Sequence, residues 1–150
     1  MIAVVTSTIK PLVENKHKRS FYTFSERLEQ TKNTLNLLGK HGFDSIFLID
    51  NSPSLDQTEL KQLLHTFPQV QIYHIQEYQF ENKGINELLM LLYISKHLPE
   101  NQTILKISGR YYPSSHFEKP DFLDFAVKFL QNIGIEGLVA GADHIEIITE

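Results

Sequence analysis

Residues 84–112 read GINELLMLLYISKHLPENQTILKISGRYY. Residues 84–98 carry apolar side chains at nearly every helical position, which predicts a helix buried on all sides. Pro99 and a polar stretch follow. Then 103–108, TILKIS, is a short apolar run with β-branched residues, and it stops at Ser108-Gly109-Arg110. A helix that leads through a short loop into such a strand is half of a βα repeat. Repeated along the chain, that unit gives a mostly parallel sheet with helices on both faces.

The rest of the chain repeats it. Residues 2–6, IAVVT, read as a strand covered on both faces. In TFSERLEQTKNTLNLLGKHG (23–42), Thr23 and Glu26 form a capping-box pattern. Leu28, Thr31, Leu35 and Leu38 share one face of that helix, and Gly39 or Gly42 ends it. SIFLID (45–50) is a second buried strand, followed by a turn at NSPS (51–54). LDQTELKQLLHTF (55–67) reads as an amphipathic helix with Leu60, Leu63, Leu64 and Phe67 inward. VQIYHI (70–75) alternates, as a strand near an edge does. Beyond residue 110, YYPSSHFEKP (111–120) reads as a loop and PDFLDFAVKFLQNIG (120–134) as a helix with Pro at its first turn. GLVAG (137–141) and IEIIT (145–149) are candidate strands. The expected fold is α/β, a three-layer α/β/α sandwich of Rossmann-like type in a single domain over 1–150.

Bulk composition excludes several classes. The 150 residues contain no Cys, so a disulfide framework and thiolate chemistry are both ruled out. The net charge of -4 argues against a dedicated nucleic-acid binder, and HKR at 17–19 reads as a solvated loop. The longest apolar run, LLMLLYI (88–94), is far short of the ~20 residues that span a bilayer. No basic segment precedes IAVVT as in a signal peptide. A cytoplasmic protein with no transmembrane segment is expected. The seven His show no i,i+4 pair. His116 with Glu118, and Asp143 with His144 and Glu146, could be drawn as metal clusters; a solvated acidic tail is the simpler reading.

In a parallel α/β sheet, ligands bind beyond the carboxyl ends of the strands. Those ends are polar here: Thr6-Ser7-Thr8, Asp50-Asn51-Ser52 and Ser108-Gly109-Arg110. Hydroxyls and carboxylates suit a ribose or base edge, and Arg110 suits phosphate oxygens. Polar residues also dominate ordinary turns, and Asp50 is equally suited to capping the turn after it. Gly109 lets a ligand or another backbone approach. Lys106 sits inside a strand, where an unpaired ammonium is costly. It meets a carboxylate such as Asp50 or Glu87, or its strand face opens into a cleft. ENKG (81–84), with Lys83 and Gly84, opens a helix and offers an anion site, with capping by Asn82 the simpler alternative. Arg27, Gln30 and Thr34 form a polar stripe beside the apolar face of the first helix.

Taken together, the TS of the first strand, SERLEQTKNTLNLL, IFLIDNS and the 81–112 segment resemble bacterial GT-A-type glycosyltransferases of polysaccharide and surface-glycan loci. Those proteins often carry a Lys-(Ile/Leu)-(Ser/Thr)-Gly-Arg-Tyr segment. The resemblance covers about residues 1–112. It implies a nucleotide-binding half, 1–112, and a short or truncated acceptor half, 113–150. It implies transfer of a sugar from a nucleotide-sugar donor to a glycan or lipid-linked acceptor, at or near the inner face of the membrane. It implies that Thr6, Ser7 and Thr8 line the nucleotide pocket and that Arg27 lies near the phosphates. Asp50 then meets the base or ribose, and Asn51 shapes that turn. Lys83 and Gly84 start the helix flanking the sugar-nucleotide. Ser108, Gly109 and Arg110 fall where many such enzymes carry the metal-binding Asp-x-Asp. No carboxylate stands there, so no divalent metal is firmly implied; Arg110 and Lys106 are expected to stabilise leaving-group charge instead. Asp121, Asp124 and Asp143 are candidate bases, and nothing chooses among them. The main alternative is a degenerate, non-catalytic nucleotide-sugar-binding domain. A flavodoxin-like module is the third reading; its first strand would lie between strands two and three.

Overall fold

The computed structural model of the chain describes residues 1–11, 22–43, 45–76, 80, 82–100, 102–112 and 145–147. The elements run β1 (Ile2–Ser7), α1 (Phe24–Lys40), β2 (Ser45–Asp50), α2 (Gln57–Leu63), β3 (Val70–His74), α3 (Lys83–Ser95), β4 (Ile104–Ser108) and β5 (Ile145–Ile147). Among the described residues the sheet order is β3-β2-β1-β4-β5, and every neighbouring pair is parallel. The expected α/β alternation and parallel sheet are present. β1 lies between β2 and β4, which excludes the flavodoxin-like order. The order reverses between β1 and β4, since β2 and β3 build outward on one side and β4 and β5 on the other. That reversal opens the crevice where such sheets take ligands.

Strand parity sorts the core into two clusters. On one face, Ala3, Val5, Ile46, Leu48, Leu105 and Ile107 pack with Leu28, Leu35 and Leu38 of α1 and with Leu60 of α2. On the other, Ile2, Val4, Phe47 and Ile49 pack with Met90 and Ile94 of α3. Each fully buried Leu or Ile contributes about 1.5–3 kcal/mol of transfer free energy. All six residues of β1 are buried, so neither face of this central strand meets water.

Local chemistry sets the helix limits. Thr23 caps α1: its hydroxyl accepts from Glu26 N, and its own N–H donates to Glu26 Oε2 at 2.7 Å. Gly42, at φ 67°, follows the α1 C-cap His41, so it and not Gly39 provides the stop. α2 is shorter than expected. Asp56 caps it by accepting from Thr58 N and Glu59 N, and the chain leaves the helix at Leu64. Leu60 and Leu64 are buried, and Leu63 and Phe67 pack partly against the same cluster.

The expected depth of α3 is corrected. Only Asn86, Met90 and Ile94, one stripe at i, i+4 and i+8, are buried. Ile85, Leu88 and Leu92 are 44%, 56% and 55% exposed. An apolar composition around a helix does not say how many of its sides are covered, and this one is covered on one. The helix expected at 120–134, the strand at 137–141 and the loop after Tyr112 lie outside the described residues, as do His116, Glu118, Asp121, Asp124, Asp143 and His144. Of the 145–149 segment, Ile145–Ile147 pairs with β4 as β5. No helix among the described residues is long and apolar enough to cross a membrane.

Candidate functional site

The carboxyl ends of β1, β2 and β4 meet the first turns of α1 and α3. Asp50 ends β2 and is fully buried. Its Oδ2 accepts from the Ser7 hydroxyl at 2.6 Å and from Ile9 N at 2.8 Å, and its Oδ1 accepts from Ser52 N at 2.8 Å. Both oxygens are therefore occupied by protein donors. Asp50 braces the exits of β1 and β2 and is not among the residues that line the cavity. Asn51 continues the brace: its Oδ1 accepts from the Thr8 hydroxyl, and its N–H donates to Ser7 O at 3.2 Å.

α1 contributes a polar stripe. Arg27 is 8% exposed and donates through Nη1 to Thr8 O at 2.7 Å. Its Nε is buried with no hydrogen-bond partner. Such an orphan donor costs about 1–3 kcal/mol, a cost that a ligand acceptor would remove. Burial pushes the Arg27 guanidinium below its ordinary value, and the charge of Arg110 pushes the same way; Asp50 pulls it back. The side chain stays cationic. Two arginines thus repel each other at one spot, and Arg110 has no ion pair or hydrogen bond among the described residues. One turn on from Arg27, Thr31 presses on Gly109. A Cβ at Gly109 would meet Thr31 Oγ1 at 3.0 Å and Ser7 Cβ at 3.1 Å. The group that needs this glycine is protein, from α1 and β1. Gly109 N donates to Thr6 O at 2.8 Å and ties the β4 exit to β1. Thr34 holds the next segment, donating to Tyr111 O at 2.7 Å.

α3 forms the opposite wall. Asn82 caps it by accepting from Gly84 N at 2.9 Å and Ile85 N at 3.4 Å. Asn86 clamps the incoming chain through both backbone groups of Phe80, at 2.9 and 2.7 Å. Glu87 Oε1 accepts from the Thr6 hydroxyl at 2.8 Å and meets Lys106 Nζ at 2.5 Å. Of the two fates open to Lys106 in the sequence, the carboxylate partner is the one realised, and that partner is Glu87.

Between these walls lies a cavity of about 230 Å³. Of the residues singled out from sequence, Thr6, Ser7, Thr8, Arg27, Asn51, Lys83, Gly84, Ser108, Gly109 and Arg110 line it. Asp50 and Lys106 do not; each sits one layer behind. Sequence reasoning missed Thr31 and Asn86 as lining residues, and took Glu87 only as a partner for Lys106. The signal was positional. Helix starts lie at the same edge as strand exits in a βα unit, so inward polar residues in the first two turns of α1 and α3 face this space. Among the described residues, Arg27, Lys83 and Arg110 outnumber the one lining carboxylate, Glu87, in a chain of net charge -4. An excess of lining cations favours anions near the cavity. Among the described residues there is no group of three or more His, Asp or Glu placed to hold a metal ion.

No family model, curated protein or solved structure matches the chain.

Proposed function

We propose that the crevice between β1 and β4 binds the diphosphate of a nucleotide-sugar, and that the chain is a GT-A-like glycosyltransferase with a three-layer α/β/α core. One observation carries the reading. At the topological switch point stand two guanidiniums, Arg27 with an orphan Nε and Arg110 without an ion pair or hydrogen bond among the described residues. Guanidinium forks match phosphate oxygens in geometry and charge. In this reading Arg27 and Arg110 hold the diphosphate. Lys83 adds charge at the start of α3, where backbone N–H groups also favour anions. Thr8 and Asn51, at the exits of β1 and β2, flank the nucleoside. As the sugar departs, negative charge grows on the diphosphate, and a cation already fixed beside it stabilises that charge without reorganisation. A glycan or lipid-linked acceptor would bring the protein to the inner face of a membrane.

Thermal unfolding with UDP, GDP, CMP and dTDP species, with and without Mn²⁺ or Mg²⁺, tests this. A ligand that binds only the folded state raises Tm by mass action. One diphosphate is expected to raise Tm in the wild type and to lose about tenfold in affinity in Arg110→Ala, the loss of one charge-assisted contact. A panel without any shift removes the reading.

A second reading is a non-catalytic nucleotide-sugar-binding domain. It is favoured by Ser108-Gly109-Arg110 at the end of β4, where the resemblance leads one to expect carboxylates. Binding without transfer or hydrolysis across a range of acceptors would select it.

A further inference from the structure

Two carboxylates stand at this edge of the sheet, and the protein uses them differently. Asp50 has both oxygens filled by Ser7, Ile9 and Ser52. Glu87 has only Oε1 filled, by Thr6 and Lys106; Oε2 has no hydrogen bond or ion pair among the described residues. Glu87 lines the cavity, and its side chain keeps 38% exposure. Its two anchors come from β1 and β4, the strands on either side of the crevice. Lys106 is buried, so its ammonium exchanged most of its water for this one contact. An exposed ion pair that merely decorates a surface has no such buried anchor. The arrangement fixes the position of one carboxylate oxygen and leaves the other for something else.

We infer that Glu87 is the hydroxyl-recognising, specificity-determining residue of the cavity, its Oε2 accepting a hydrogen bond from a hydroxyl of the bound ligand. The inference rests on the anion reading above and narrows it. A carboxylate in the cavity wall, even one paired with Lys106, disfavours a bare inorganic anion lying against it, because like charges repel. A ligand that turns phosphate oxygens toward Arg27 and Arg110 and a hydroxyl toward Glu87 satisfies both signs of charge. That ligand class is a phosphorylated polyol, of which a nucleotide-sugar is a member. The site discriminates by leaving Oε2 of a partly desolvated carboxylate without a ligand donor whenever the hydroxyl is missing.

The test is titration calorimetry with pyrophosphate, UDP-glucose, GDP-mannose and dTDP-glucose on the wild type, Glu87→Gln and Glu87→Asp, with Tm recorded for each protein. Gln keeps the shape and still accepts from Thr6 and Lys106, but it presents N–H donors where Oε2 accepted. Asp keeps the charge and withdraws it by one methylene. The wild type is expected to bind at least one nucleotide-sugar more tightly than pyrophosphate. Both variants are expected to weaken that nucleotide-sugar about tenfold, the loss of a hydrogen bond to a charged group. Pyrophosphate should bind Glu87→Asp as the wild type and bind Glu87→Gln equally or more tightly. Equal losses on both ligand types with a lowered Tm would make Glu87 a structural tie and overturn the inference. Unchanged nucleotide-sugar affinity in the variants would overturn it too. Wild type that binds pyrophosphate but no nucleotide-sugar overturns this inference and leaves an anion site standing. Wild type that binds nothing removes the anion reading, and this inference with it.

Discussion

The two helices that wall the cavity reverse what their compositions suggest. α1, FSERLEQTKNTLNLLGK, is mostly polar; α3, KGINELLMLLYIS, is mostly apolar. Yet α1 buries Arg27, Leu28, Thr31, Thr34, Leu35 and Leu38, while α3 buries only Asn86, Met90 and Ile94. Two of the buried polar residues of α1 hold backbone acceptors, Thr8 O for Arg27 and Tyr111 O for Thr34, and Thr31 packs closely on Gly109. Ile85, Leu88 and Leu92 of α3 stay about half exposed because they lie off the stripe that meets the sheet. Burial follows the number of surfaces a helix is pressed between, and polarity then decides whether those surfaces must be hydrogen-bonded.

The largest test of this contrast pairs Leu35→Ala on α1 with Leu88→Ala on α3. Leu35 is fully buried, so its truncation is expected to cost about 2–5 kcal/mol in urea unfolding. The exposed Leu88 should cost under about 0.5 kcal/mol. Similar values for the two would break the comparison. Next in size is Gly109→Ala. The added methyl meets Thr31 and Ser7, and overpacking of this kind costs about 1–3 kcal/mol. A neutral result would mean that α1 yields easily to β4, contrary to a tightly fitted wall. Thr34→Val keeps the shape and removes the hydroxyl that reaches Tyr111 O. It should cost about 1 kcal/mol, read from the shift in the unfolding midpoint. The smallest effect concerns the start of α1. The Glu26 carboxyl is held below its ordinary value of 4.5, first by the Thr23 backbone N–H and then by the Thr23 hydroxyl. A depressed folded-state value gives stability that is present above 4.5 and fades as pH falls through the folded value. Glu26→Gln should therefore lose slightly less Tm than the wild type on acidification below 4.5. Parallel acid profiles would show that this cap plays no part in acid stability.

Much of the fold was legible because its signals are local. Each of β1 to β4 is an apolar run bounded by polar residues, and the Thr23–Glu26 box lies within four residues of chain. The depth of α3 was not legible, since the coverage of a helix depends on elements distant in sequence. The choice of partner for Lys106 was half legible. Lys106 registers with Val4, and Val4 with Phe47, so Lys106 points to the Phe47 and Ile49 face. Asp50 has the opposite parity and belongs to the other face. Parity alone removes Asp50 as a partner, but only once the register is known. Glu87 was one of the two carboxylates the sequence offered, but its added hold on Thr6, 81 residues away, could be seen only in the fold. The sequence left Asp50 between the pocket and the cap of the next turn; Ser52 N realises the cap, and Ser7 and Ile9, distant in sequence, extend it into a brace.

The contacts of Arg27, Thr31 and Thr34 with the exits of two strands, β1 and β4, have one further consequence. They lie on a single helical stripe, and seven residues of helix span about 10 Å. The spacing of one wall of the cavity is thus measured out by helical rise. A changed side chain can dull one mark on that ruler, but inserting a single residue between Arg27 and Thr34 would swing the later mark by about 100°. Tyr111 would then lose its tether while Thr8 kept its own, and the two ends of the wall would fall out of alignment.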